Sequence, residues 1–118
     1  MQNLIFIITF IHLAVNLSAH DDLKGIWQTG RNNTLIEIYE KDNSLYGKVI
    51  FSDNPEAPVG KDVLENLTRD GNTWKGTMYS WKKDKRANVT VEPAGNSLKI
   101  KIDAGLIPVT LEWEREKR

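Results

Sequence analysis

The sequence predicts an all-β domain: a small antiparallel meander of about eight short strands closed into a barrel. Three observations carry that reading. From Leu23 onward apolar and polar residues alternate with period two, and turn-forming residues break the alternation at short intervals. Successive runs also pair in registers that keep a single apolar face, which a slip of one residue would destroy.

Thr34 to Glu40 and Leu45 to Phe51 flank Lys41-Asp42-Asn43-Ser44, a turn-rich tetrad. Setting Glu40 opposite Leu45 aligns Ile38 with Gly47 and Ile36 with Val49. The other face then receives Tyr39 against Tyr46 and Glu37 against Lys48, an aromatic and an opposite-charge pair. Ser52 to Gly60 contains Pro55 and Pro58 and reads as a loop, because proline cannot donate to a ladder. Over 61–67 the spacing of Val63, Leu64 and Leu67 fits a short helix as well as a strand running into Thr68. Asp70-Gly71 marks the next hairpin turn.

Trp74 to Ser80 and Ala87 to Glu92 flank Trp81 to Arg86. Setting Ser80 opposite Ala87 aligns Met78 with Val89 and Gly76 with Val91, and puts Lys75 against Glu92 and Thr77 against Thr90. A turn over Pro93-Ala94-Gly95-Asn96 then aligns Val91 with Leu98, Val89 with Ile100 and Ala87 with Ile102. The last run sets Val109 by Ile102, Leu111 by Ile100 and Trp113 by Leu98. One apolar face can serve a sandwich or a barrel, and closure is favoured because it removes exposed strand edges.

The inward set is Trp27, Ile36, Ile38, Val49, Phe51, Trp74, Met78, Val89, Val91, Leu98, Ile100, Ile102, Val109, Leu111 and Trp113. These side chains are bulky enough to fill a small barrel. Gly47 and Gly76 face inward too, and either leave room or permit sharp strand coiling. Arg115 shares the parity of Trp113, so it points inward and needs a partner, since an unpaired buried charge costs several kcal/mol. The face of Trp27, in the first strand, is the natural one.

Composition excludes several functions. The chain has 118 residues, enough for one domain, with 16 basic and 16 acidic side chains and no net charge. No overall field exists to hold a nucleic-acid backbone, so nucleic acid is not an expected partner. There is no cysteine, and the two histidines, His12 and His20, precede the patterned region. A His-based triad, a thiolate nucleophile and a Cys/His metal cluster are therefore ruled out for the domain proper. Asp53, Glu56 and Asp62 lack the Asp-x-Asp-x-Asp-Gly order of a calcium loop. We expect no cofactor, no metal and no enzymatic activity.

Leu4 to Val15 is a run of 12 residues, apolar except for Thr9 and His12. It is too short to span a bilayer, which takes about 20, and matches the core of a signal peptide ending at Ser18-Ala19. The expected division is a signal peptide over 1–19 and one barrel over 20–118. The mature chain would then lie in the periplasm or cell envelope without a transmembrane span.

Gly25-x-Trp27 in the first strand with an inward Arg115 in the last resembles the lipocalin and wider calycin arrangement. A closer resemblance, from Leu23 to Arg115, is to domain-of-unknown-function family 2147, small exported proteins. It rests on Gly25 and Trp27, Ile36-Glu37-Ile38-Tyr39, Tyr46-Gly47-Lys48, Asn54-Pro55, Gly60, Asp70-Gly71, Trp74, Gly76, Tyr79, Leu98-Lys99, and Trp113 with Arg115. The resemblance implies a lipocalin-like barrel in the envelope and no settled activity. The chain departs from the family pattern at Ser80-Trp81, Asp84-Lys85 and Ala87, and carries Val109 and Leu111 where the family tends to have Arg and Gln. It reads as a divergent member.

Two functional expectations follow. In one the barrel holds a small apolar or amphipathic ligand, with Tyr39, Tyr46, Trp74, Tyr79 and Trp81 as candidate contacts and access near Tyr79 and Trp81. Gly25, Trp27, Trp113 and Arg115 are then the structural closure. In the other the core is filled and the chain is an envelope interaction module, working through the surface of Tyr39, Tyr46, Tyr79 and Trp81. Trp81-Lys82-Lys83-Asp84-Lys85-Arg86 sets an aromatic among four basic residues. That loop suits an anionic envelope component such as a lipid headgroup; its ordinary reading is a solvated turn with Trp81 folded onto Tyr79.

Overall fold

A computed structural model describes residues 22–117. The signal-peptide expectation over 1–19 lies outside them. Eight antiparallel strands follow one another around a closed barrel: β1 (Gly25–Gln28), β2 (Leu35–Lys41), β3 (Ser44–Phe51), β4 (Asp62–Asp70), β5 (Thr73–Ser80), β6 (Lys85–Ala94), β7 (Ser97–Asp103) and β8 (Val109–Arg115). Each pairs with its sequence neighbours, and β8 returns to β1 through Trp27 opposite Arg115 and Gln28 opposite Glu114.

The two ends of the barrel differ, and turn chemistry sets the difference. At one end β2–β3, β4–β5 and β6–β7 are joined by two-residue turns between the pairs Lys41–Ser44, Asp70–Thr73 and Ala94–Ser97. Asp42 and Asn43 both take positive φ, as a tight hairpin of the right twist requires. The other end carries four longer connections, 29–34, 52–61, 81–84 and 104–108. One end is thereby pinched shut, and the other is ringed by loops.

The β2–β3 register is the one the side-chain pairs select, with Ile36 opposite Val49, Glu37 opposite Lys48 and Tyr39 opposite Tyr46. That of β7–β8 also holds, from Ile102–Val109 to Leu98–Trp113. The two hairpins around β6 are shifted by two residues. Met78 faces Ala87 and Gly76 faces Val89, while Val91 faces Ile100 and Val89 faces Ile102. The reason is that β6 is longer at both ends than the alternation alone shows. Lys85 and Arg86 join it, and Pro93 lies in the strand past the last β5 partner, where its missing N–H costs no ladder bond. A two-residue shift keeps every side chain on its face, so the core survives while the outer pairs change. Lys75 accordingly pairs with Asp70, and Glu92 with Lys101.

No helix covers 61–67: the segment is the first half of β4. Its register breaks between Glu65 and Thr68, where Asn66 has φ of 54°. The extra residue of that bulge turns both Leu64 and Leu67 inward, and a second break against β3, with Leu64 opposite Gly47 and Asp62 opposite Lys48, brings in Val63 as well; together they imitate helical spacing. The bulge also explains Gly76. A Cβ there would sit 2.5 Å from the Glu65 carbonyl oxygen and 2.8 Å from Leu67 Cδ2. At Gly47 it would lie 3.0 Å from Ile36 Cγ2. Neither glycine leaves a void; both admit a close neighbour.

The core gathers Leu23, Trp27, Ile36, Ile38, Leu45, Val49, Val63, Leu64, Leu67, Trp74, Val89, Val91, Leu98, Ile100 and Trp113. Five residues of the expected inward set are not in it: Met78, Ile102 and Leu111 are partly buried against it, and Phe51 and Val109 are exposed. Phe51 is 48% exposed beyond a register break between Leu35 and Ile36, and Val109 is 41% exposed where β8 leaves its loop. Burial of this cluster, at about 25 cal/mol per Å2 of apolar surface, is the main stabilising term.

Candidate functional site

Trp27 lies fully buried at the pinched end, where its indole N–H donates to the Leu23 carbonyl at 2.9 Å. The Arg115 guanidinium stands 4.3 Å from the Trp27 ring centroid. It also donates to the carbonyls of Lys24 and Asp22, at 3.0 and 2.9 Å. Gly25, at φ 134°, makes this possible, since a Cβ would come within 2.7 Å of Arg115 Nη1. Leu23, Trp27 and Arg115 therefore plug the end at which the chain enters and leaves the barrel.

At the loop-ringed end a cavity of about 290 Å3 opens into the barrel. Its inner wall is Ile36, Val63, Met78, Ile102, Leu111 and Trp113, and its rim includes Thr29, Arg31, Asn32, Asn54, Ser80, Trp81 and Lys82. The rim is built from named bonds. Thr34, the buried polar residue of this region, shares a 2.7 Å hydrogen bond with Ser52. Asn33 donates to Asp53 at 2.6 Å, and the Asp53 N–H donates to the Asn32 carbonyl at 2.8 Å, lacing the first two loops together. The side chains of Arg31 and Lys82 have no ion pair among the described residues. The result is an apolar well under a rim with two uncommitted cations. Such a well can take an apolar chain and hold an anionic group at its mouth.

The profile of domain-of-unknown-function family 2147, described as an uncharacterised protein conserved in bacteria, matches residues 25–115. The chain belongs to that family. The match runs from the first residue of β1 to the last of β8, so it covers the barrel and both residues of the clasp. No curated protein and no solved structure gave a match.

Within this member of family 2147, the candidate contacts separate. Trp81 is half-buried against the core at the mouth, not lying free on the loop, and Tyr79 borders the same cavity. The Tyr79 hydroxyl donates to Asp84 at 2.8 Å, which raises its pKa, and Arg86 covers its ring at 5.0 Å. Trp74 is elsewhere, buried toward the pinched end opposite Val91 with Arg69 over its ring. Tyr39 and Tyr46 lie on the outer wall with centroids 6.2 Å apart. Their hydroxyls donate to Asp62 and Asn66 of β4, and Lys48 and Lys41 stand over the rings. The Asp62 bond is the main reason the Tyr39 pKa is pushed up to about 12.

These five residues do not form one site: Tyr79 and Trp81 reach the cavity, and the other three tie strands together. Arg31, Asn32 and Asn54 were not legible as contacts, because loop residues carry no periodicity to read. Leu111 lines the well. Among the described residues no cluster of three or more His, Cys, Asp and Glu could hold a metal.

Proposed function

We propose that this chain is an exported, non-enzymatic binding protein that takes one small amphipathic molecule, tail first, into the loop-ringed end of its barrel. The observation that carries the reading is the pairing of an apolar well with Arg31 and Lys82 at its rim. That combination suits an anionic head above an apolar tail, each worth holding only where the other is satisfied. The volume of about 290 Å3 limits the tail. With a water-sized group occupying roughly 30 Å3, about ten such groups fit, which favours a medium-chain carboxylate over a retinoid-sized ligand. Leu4 to Val15 supports the location, in the periplasm or cell envelope, with residues 1–19 removed.

Trp81 and Trp113 border the cavity and serve as reporters. Titrating the protein with medium-chain fatty acids should change tryptophan emission saturably. A flat response across carboxylates and their uncharged alcohols contradicts the reading. Mass determination of the exported chain should find His20 at its start; retention of residues 1–19 would count against envelope delivery in soluble form.

A further inference from the structure

We propose that the loop-ringed end of the barrel docks on an anionic lipid surface, the β7–β8 hairpin inserting and the β5–β6 hairpin supplying the charge. The inference stands whether or not the cavity takes a ligand. Among the described residues the exposed large hydrophobics are Phe51, Val59, Leu106, Ile107 and Val109, and all five lie at this end. Leu106 is fully exposed and Ile107 is 76% exposed, side by side at a hairpin tip. Isolated exposed apolar residues need no explanation, but five gathered at one end of a small barrel mark an interaction face.

Charge selects the partner. Lys82, Lys83 and Lys85 stand on the neighbouring hairpin, and none has an ion pair among the described residues. Arg86 is committed to Glu65 at 2.8 Å, and Asp84 accepts from Tyr79, so the lysines are the available charges. The anionic side chains of the same end are Asp53 and Glu56 on the β3–β4 loop, Asp84, bonded to Tyr79, and Asp103 at the base of the inserting hairpin, three residues before Leu106. The β5–β6 and β7–β8 hairpins are joined through the β6–β7 ladder, which starts at Asn88 opposite Asp103. An apolar tip beside three free lysines fits a bilayer with anionic headgroups, where each lysine strengthens binding about fivefold. An acidic protein would use the lysines but gain nothing from a tip that projects into water.

The test uses the full chain, which has no cysteine, so a single introduced thiol takes one label. Leu106→Cys carrying an environment-sensitive dye should brighten and shift to the blue on vesicles of phosphatidylglycerol and phosphatidylcholine. The same label at Gly71→Cys, at the pinched end, should not respond. Changing Lys82, Lys83 and Lys85 to Gln should lower the partition measured by this label about a hundredfold, and high salt should act in the same direction. Ile107→Ser should lower it about tenfold. An unresponsive Leu106 label overturns the proposal, as does an equal response on pure phosphatidylcholine. An equal response from the Gly71 label also overturns it, because the chain would then bind by another face. Self-association lost on Ile107→Ser, without any vesicle response, would assign the tip to a second copy of the chain instead.

Discussion

Arg115 lies over Trp27 at 4.3 Å from the ring centroid, joining the last strand to the first. Its two hydrogen bonds to the carbonyls of Asp22 and Lys24 hold the segment that carries Leu23 into the core. One side chain thus closes the barrel where only two residue pairs link β8 to β1.

Arg115→Ala should cost about 2 kcal/mol, the sum of a lost cation–π contact and two charge-assisted bonds at a half-buried site. For a domain of this size that lowers Tm by about 8–16 °C. Because the cavity lies at the other end, ligand affinity at a temperature where both proteins are folded should not change. Thermal denaturation beside a ligand titration checks both halves.

Gly76→Ala should destabilise by about 2–3 kcal/mol. The clash is with the Glu65 carbonyl oxygen, which is backbone and cannot swing aside. Gly71→Ala, at φ 63° with nothing near its Cβ, should cost about 1 kcal/mol through backbone strain alone. Urea denaturation midpoints of the two variants should fall in that order.

Stability should decline as pH rises from about 10 to 12 through Tyr39. Its folded pKa is raised, so the protonated phenol is favoured in the native state, chiefly by donating to Asp62. The unfolded chain loses its proton first, near 10, and from there the linkage favours unfolding until the native phenol also ionises near 12. Tyr39→Phe should remove this part of the dependence. Urea midpoints followed across that range, with the tyrosinate absorbance recorded in parallel, test it.

Arg31→Gln and Lys82→Gln should each weaken binding of a medium-chain carboxylate about fivefold while leaving Tm within about 1 °C, since neither side chain has an ion pair among the described residues. The corresponding alcohol, lacking the charge, should bind both variants as it binds the parent chain.

The barrel was legible because alternation and turn residues are local signals, and the Glu37–Lys48 and Tyr39–Tyr46 pairs fixed one register from both faces. The clasp followed from parity alone: Arg115 shares a face with Trp113. Where the reading slipped, the cause is physical. A shift of two residues around β6 leaves the faces unchanged, so alternation cannot detect it, and the bulge at Asn66 gave strand residues helical spacing. The cavity was the least legible part. Gly47 and Gly76 pointed to room that close neighbours fill, while the actual opening depends on which end carries the long loops. Tyr39 and Tyr46 looked like ligand contacts because an aromatic pair has the same sequence signature whether it binds a molecule or a neighbouring strand.

The most direct measurement is a calorimetric titration of the parent chain and of Leu111→Trp with a series of carboxylates of increasing length. Leu111 lines the well, so a larger side chain there should fill it with the barrel intact. One site per chain is expected, with an affinity optimum near eight to ten carbons, set by room for about ten water-sized groups, and loss of binding in the folded variant. No measurable binding by the parent chain, or binding that strengthens steadily with length and persists in Leu111→Trp, would contradict a ligand held inside the barrel.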